Sequence, residues 1–122
     1  MKDRPRIYNQ SVHKHYQNPH NKGTLKDPDL SVTEGNPKCG DRITLELKIR
    51  GNEISNIKFD GYGCVLSIGA ASILTQLVRG LTVQEASELT LEDLKNNMGN
   101  PTKMREDCAS LSLRALKKAL SQ

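Results

Sequence analysis

The chain has 122 residues, enough for a modest hydrophobic core, and we expect one domain over residues 1–122 with 1–5 as a flexible extension. Its 18 lysines and arginines exceed 14 aspartates and glutamates, but they are scattered, and only one Phe and three Tyr accompany them. Clustered basic residues and stacking aromatics are typical of nucleic-acid binding, which is therefore not expected. No apolar run reaches the ~18 residues of a membrane span, and the first residues do not resemble a signal peptide. We expect a cytoplasmic protein that does not interact with a membrane.

The N-terminal third of the chain predicts one helix and one short strand. Residues Arg6–Tyr16 have a weak helical pattern that ends at the proline-containing turn that follows. His13 and His15 lie on different faces of such a helix, so we expect packed or surface roles for them rather than chelation of one metal ion. Leu30–Glu34 fits a short strand that runs into the loop Asn36–Asp41.

The middle of the chain predicts a β-hairpin. In Arg42–Arg50 apolar residues alternate with polar ones, which is typical of a strand with one buried and one exposed face. Gly51-Asn52 fits a two-residue turn, and Glu53–Asp60 fits the returning antiparallel strand. Ile54 is out of phase with the other apolar residues of that strand, which leaves it in the turn, in a bulge or on the other face.

The second half of the chain is predicted to be helical. One helix runs from Val65 to about Arg79 and stops at Gly80. Two short helices, or one broken helix, are indicated by two capping-box pairs, Thr82 with Glu85 and Thr90 with Asp93. Asn100-Pro101 is expected to open the last helix, with Cys108 in its first two turns. This order predicts an α+β two-layer sandwich, in which helices cover a small antiparallel sheet of about three strands.

The three cysteines, Cys39, Cys64 and Cys108, are widely spaced. An odd number of cysteines without a secretory signal does not indicate a disulfide framework. The chain contains no Cys-x-x-Cys pair, which argues against a zinc ribbon or a thioredoxin-type centre. Composition alone leaves two interpretations open, namely three unrelated buried thiols or donors to one shared site.

The predicted topology favours a shared site. Antiparallel pairing places the start of the first hairpin strand beside the end of the second, so Cys39 and Cys64 are expected at the same edge of the sheet. Cys64 also precedes a helix, whose N-terminal dipole favours a thiolate. Together with Cys108 and Asp41 they form a set of four donors that suits zinc or an iron–sulfur centre. Because a carboxylate holds these metals less firmly than a thiolate, such a site is expected to be more labile than one of four cysteines.

Sequence motifs at these positions resemble a known family. They are His15-Tyr16-Gln17-Asn18-Pro19-His20-Asn21-Lys22-Gly23, Cys39-Gly40-Asp41 and Phe59-Asp60-Gly61-Tyr62-Gly63-Cys64-Val65-Leu66-Ser67. Cys108 follows at the distance expected for the family's third cysteine. With these features, which span nearly the whole chain, the sequence resembles the U-type iron–sulfur cluster scaffold family, comprising IscU, the N-terminal domain of NifU, and SufU.

The resemblance implies a scaffold rather than an enzyme. On such a scaffold a [2Fe–2S] cluster is built from iron and from persulfide sulfur delivered by a cysteine desulfurase, and the cluster is passed to apo iron–sulfur proteins. The family's ligands correspond to Cys39, Asp41, Cys64 and Cys108, which bind the cluster, or zinc in its absence. Cys108 is the candidate acceptor of the persulfide. Whether one chain holds the cluster or a homo-oligomer shares it is left open.

The chain departs from the family pattern at two places, and the first departure indicates an alternative function. Asp107 stands where IscU-type members have a histidine, and could at best offer an oxygen ligand. The chaperone-recognition run Leu-Pro-Pro-Val-Lys is reduced to Gly99-Asn100-Pro101-Thr102-Lys103, which argues against delivery by the family's heat-shock chaperone. Lack of the histidine resembles SufU, which implies an alternative function as a zinc-dependent sulfurtransferase that accepts persulfide sulfur from a cysteine desulfurase. However, the 44-residue step from Cys64 to Cys108 leaves no room for the SufU insertion.

Overall fold

The computed structural model of the chain describes residues 10–38, 40–99 and 106–121. Three strands form one antiparallel sheet in the order β1-β2-β3, and helices pack against it, which confirms the predicted α+β class. No described helix is long and apolar enough to cross a membrane. In chain order the elements are α1 (Gln10–Gln17), β1 (Leu30–Asn36), β2 (Asp41–Arg50), β3 (Glu53–Tyr62), α2 (Val65–Val78), α3 (Val83–Ser87), α4 (Leu91–Asn96), α5 (Glu106–Ala109) and α6 (Leu111–Leu120).

The predicted hairpin is present as β2 and β3. Ile43, Leu45 and Leu47 are fully buried on the face of β2 that meets the helices, as the alternation predicted. The register shifts between Lys48 and Ile49, so that Ile49 pairs with Ile54 and Lys48 pairs with the residue two positions further along β3. This bulge explains the phase of Ile54, because the extra residue returns its side chain to the buried face.

Helix α2 is the centre of the helical layer. It packs against β3, α6 and α1, so it is buried on most sides, in keeping with its nearly uniform apolar composition. Helix α6 packs against β1 and β2 through an apolar stripe that includes Leu113 and Leu116. The sheet and α2 therefore pack together, and at one end of the sheet the start of β2 lies near the start of α2.

The ends of the shorter helices match the sequence in part. Both capping boxes are formed, each with reciprocal side chain-to-backbone hydrogen bonds. The last helical segment is not continuous, because Ser110 interrupts it between α5 and α6 and its hydroxyl bonds the Asp107 carbonyl. The expected start at Asn100-Pro101 and the expected flexible extension 1–5 lie outside the described residues.

Candidate metal centre

Three of the four predicted donors converge at one point of the structure. Asp41, Cys64 and Cys108 each present one donor atom, and these atoms all lie within 4.8 Å of one another. They come from the start of β2, the N-cap of α2 and the short helix α5. Cys39 lies outside the described residues.

Strand pairing brings Asp41 to the start of α2. Arg42 pairs with Tyr62, so the first residue of β2 lies beside the end of β3, from which the chain turns into the helix. Gly61, with φ +135°, passes so close to β2 that a Cβ there would lie 2.0 Å from the Arg42 carbonyl oxygen. Only glycine fits this crossing, which fixes the path from β3 to Cys64.

Gly63 allows Asp41 to approach α2. A Cβ at Gly63 would lie 2.9 Å from Ser67 Cβ, closer than real Cβ contacts come, and 3.0 Å from Asp41 Cγ, which would also have to shift. With no side chain there, the Asp41 carboxylate reaches the first turn of α2, where the Ser67 hydroxyl donates a hydrogen bond to Oδ2. Asp41 is only 5% exposed, so this bond satisfies a buried carboxylate.

The two cysteines differ in exposure. Cys64 is half-buried at the N-cap of α2, and its Sγ shares a 3.5 Å contact with Ser67 Oγ. Cys108 is buried and belongs to the hydrophobic core cluster. The centre therefore has an inner thiol and an outer one, and solvent reaches it from the side of Cys64.

Helix α5 positions Cys108. Its Glu106 carboxylate accepts a 2.7 Å hydrogen bond from the Lys95 ammonium of α4. This hydrogen bond is the main cause that raises the pKa of Lys95 above its ordinary value. Asp107 is exposed and does not belong to the group of converging donors among the described residues. The structure thus gives this side chain no place at the centre.

The donor set fits a metal ion. Four ligands on one tetrahedral zinc, with bonds of 2.0–2.3 Å, stand about 3.5–3.8 Å apart. Donor atoms within 4.8 Å of one another reach that spacing with small side-chain movements. Two sulfurs and one carboxylate oxygen suit zinc or iron. The arrangement can hold a metal and leaves one further ligand position to be filled.

A second polar cluster lies where α1 packs on α2. His15 Nδ1 and Ser72 Oγ share a 2.6 Å hydrogen bond, and the His20 backbone N–H donates to the same oxygen at 2.8 Å. Burial, and the neighbouring His20, lower the pKa of His15 below its ordinary value. The cluster borders a cavity of about 540 Å³ that Lys14, Gln17 and Asn18 also line. His15 thus has a packing contact, as the sequence indicated.

Sequence reasoning missed the role of Ser67. It closes the motif that begins at Phe59, but a serine inside a predicted helix has no single expected role. Its position three residues after Cys64 was the available signal, since this spacing places both side chains on the same face of the first helical turn. The spacing does not predict the hydrogen bond between Ser67 and Asp41, which depends on how β2 packs beside α2.

Comparisons with known proteins show relatives of nearly the whole chain. Iron–sulfur cluster assembly scaffold protein IscU 1 of Archaeoglobus fulgidus is 36% identical over 114 residues, covering 93% of this chain and 74% of that protein. Zinc-dependent sulfurtransferase SufU of Bacillus subtilis is 32% identical over 136 aligned positions, covering 95% of this chain and 90% of SufU. The crystal structure of the N-terminal part of a nitrogen-fixing NifU-like protein from Brucella abortus superimposes with a TM-score of 0.79. It covers 93% of this chain and 91% of that one at 19% identity, which shows a common fold.

A sequence profile of one family covers almost the entire chain. The profile, described as NifU-like N-terminal domain, matches residues 7–122. The matched range includes β2, α2 and α5, the elements that bring Asp41, Cys64 and Cys108 together. The chain therefore belongs to the family of NifU-like N-terminal domains.

Proposed function

We propose that this chain is a scaffold for the assembly of a transient [2Fe–2S] cluster. The assembled cluster is then passed to apo-proteins. The observation that carries the proposal is the convergence of one carboxylate and two thiols, from three separate elements, within 4.8 Å. The IscU relatives, which are named as cluster assembly scaffolds, support it. Cys39 is proposed as the fourth ligand.

The cluster is cargo in this function, and the donor set suits cargo. A carboxylate binds iron less firmly than a thiolate does, so Asp41 is the ligand that an incoming acceptor thiolate displaces first. Cys64 is half-buried, which leaves one side of the centre open to such an acceptor. A site of four buried cysteines would retain the cluster more firmly.

A cysteine desulfurase is the proposed source of sulfur, and Cys108 the proposed acceptor. The Cys108 thiolate would attack the outer sulfur of the desulfurase persulfide, forming a new S–S bond while the desulfurase thiolate leaves. No external oxidant or reductant is needed, because the sulfane sulfur moves at constant oxidation state. Because Cys108 is buried, the attack requires that it becomes exposed when the desulfurase binds, and its return to the buried position then shields the persulfide from solvent thiols.

Anaerobic reconstitution tests the proposal. The purified chain is incubated with ferrous iron, cysteine and a cysteine desulfurase, and visible absorption, iron and acid-labile sulfide are measured. We expect a brown protein with equal iron and sulfide that transfers its cluster to an apo-ferredoxin. A chain that accumulates no sulfide and keeps stoichiometric zinc throughout would contradict the scaffold function.

A zinc-dependent sulfurtransferase is the second candidate. SufU is 32% identical, and the alignment covers 90% of its length. The three described donors also lie close enough together to bind a single ion. However, the alignment with SufU extends over 136 positions while this chain has 122 residues, so SufU carries residues without a counterpart here. Zinc-dependent stimulation of the desulfurase, without cluster formation, would favour this candidate.

Replacing Cys108 by serine tests the sulfur-accepting role. Cys108→Ser keeps the shape of the side chain and removes the nucleophilic sulfur, so we expect persulfide formation on the chain to be abolished. Mass spectrometry after incubation with desulfurase and cysteine detects the added sulfur atom, with Cys64→Ser as the matched control. Persulfide in Cys108→Ser at the wild-type level would move the role to Cys39 or Cys64.

A further inference from the structure

Ser67 lies directly behind the candidate centre. It is fully buried in the first turn of α2, three residues after Cys64. Its hydroxyl donates to Asp41 Oδ2 and also lies 3.5 Å from Cys64 Sγ. One buried hydroxyl thus contacts two of the three converging donors, on the side away from solvent.

The hydroxyl constrains how the carboxylate meets a metal. A serine has a single proton to donate, and here Asp41 Oδ2 accepts it. That oxygen has one lone pair engaged on the protein side, while the other oxygen keeps both of its lone pairs for a metal. Gly63 lies beside Asp41 without a side chain, so the hydrogen bond from Ser67, rather than packing on this side, fixes the orientation of the carboxylate.

We propose that Ser67 is a positioning residue that holds Asp41 for metal binding through one carboxylate oxygen. The proposal rests on the metal-binding part of the proposed function. Hydrogen-bond partners of a metal-binding carboxylate fix its orientation before the ion arrives, and their loss typically lowers metal affinity about 10- to 100-fold. Ser67 thereby also keeps the coordination number at four, because a carboxylate free to turn can offer both oxygens.

Zinc alone, without sulfur or desulfurase, is the probe. Zinc affinity is measured by competition with a chromophoric chelator under anaerobic conditions, for wild type, Ser67→Ala, Asp41→Ala and the double variant. We expect Ser67→Ala to bind zinc about 10- to 100-fold more weakly than wild type. In the Asp41→Ala background the same substitution should have no further effect, because no carboxylate remains to be positioned.

Two further variants separate positioning from folding. Ser112→Ala removes another fully buried serine, whose hydroxyl has no hydrogen-bond partner in the described part of the chain, and should leave zinc affinity unchanged. Ser67→Thr retains the hydroxyl and should bind zinc nearly as well as wild type. Cobalt provides a spectroscopic readout, since a carboxylate bound through both oxygens raises the coordination number and weakens the visible absorption of tetrahedral cobalt. We expect this weakening in Ser67→Ala only.

The outcomes are distinct. Unchanged zinc affinity in Ser67→Ala, or an equal loss with and without Asp41, would overturn the positioning role. A wild-type chain that binds no zinc would overturn both this role and the metal site. Failure to assemble a cluster in a chain that shows the predicted zinc pattern would reject the scaffold function and leave the role of Ser67 supported.

Discussion

Helix α2 carries two fully buried serines, Ser67 and Ser72, that serve different regions of the molecule. The Ser67 hydroxyl meets Asp41 and Cys64 at the candidate centre. The Ser72 hydroxyl meets His15 and the backbone of His20, where α1 and the following turn pack on the helix. The same residue type, on the same helix and equally buried, thus contacts candidate ligands in one region and structural partners in the other.

A glycine accompanies each serine. Gly63 lets Asp41 reach Ser67, whereas Gly69 lets α1 reach α2, because a Cβ at Gly69 would lie 2.7 Å from Val12 Cγ1 and 2.8 Å from the Val12 carbonyl oxygen. Both regions therefore depend on a close approach that any larger residue would block. The two glycines differ in the group that they admit: Gly63 admits the Asp41 carboxylate, and Gly69 admits helix α1.

The chemistry of the approaching groups distinguishes the two regions. Around Ser72, N–H donors and oxygen acceptors pair with one another, and the neighbouring Thr75 hydroxyl accepts from Asn21 Nδ2 while donating to the Ser72 carbonyl. Around Ser67, a carboxylate and thiols meet, and these are acceptors or weak donors. A metal ion would stabilise their convergence far better than their contacts with each other do. This difference supports the proposal that the region around Ser67 binds a metal, whereas the contacts around Ser72 hold α1 on α2.

Gly63→Ala is expected to have the largest effect at the centre. The added Cβ displaces Asp41 and Ser67 together, so zinc affinity should fall by about 100-fold, the upper end of the range for lost support of a ligand. Gly69→Ala is the matched control, since overpacking against Val12 should cost about 1–3 kcal/mol of unfolding free energy without changing zinc affinity. Chelator competition and urea unfolding measure the two effects. Zinc binding that is weakened equally by both substitutions would mean that the two regions are not separate.

Ser72→Ala is expected to affect stability alone. It leaves the buried side of His15 and the His20 N–H without their shared oxygen, which should cost about 1–3 kcal/mol of unfolding free energy. Zinc affinity should stay at the wild-type value, in contrast with Ser67→Ala. Ser112→Ala, which removes a buried hydroxyl without a described partner, should be neutral or slightly stabilising. A loss of zinc affinity in Ser72→Ala would argue that α1 supports the centre.

Much of the fold could be predicted because its signals are local. The strict alternation in β2 and the apolar run of α2 determine their faces without reference to the rest of the chain. Antiparallel pairing then brings Asp41 next to Cys64, so this part of the candidate centre also follows from sequence. The bulge that reorients Ile54 was one of three possibilities, because the alternation alone does not say where a residue is inserted.

The remaining features depend on packing between distant residues. Cys108 reaches the centre through the docking of α5 against α2, and from sequence it was included in the donor set as the third thiol, with no strand pairing that brings it to the other donors. The contact between Ser67 and Asp41 joins two elements whose side chains show no mutual pattern. The interruption at Ser110 was wrongly predicted as continuous helix, since one serine is a weak signal for a break.

Protonation of His15, where α1 packs on α2, should make the free energy of unfolding depend on pH. We expect this effect to be the smallest of those predicted. The pKa of His15 lies below the ordinary value of 6.5, through burial first and the neighbouring His20 second, so the unfolded chain binds a proton more readily than the folded one. Above about pH 6.5 His15 is neutral in both states and the folded state keeps its full stability. As the pH falls below that value stability is lost, until His15 is also protonated in the folded chain.

Urea unfolding across this pH range checks the expectation for His15. His15→Gln should have a flatter dependence than wild type, while Ser112→Ala, which removes no titratable group, should retain the wild-type slope. An equal slope in His15→Gln and wild type would show that His15 does not carry the effect. Because Ser72 holds the His15 ring and Ser67 does not, Ser67→Ala should also keep the wild-type slope, so that the pH dependence and zinc affinity respond to different serines of the same helix.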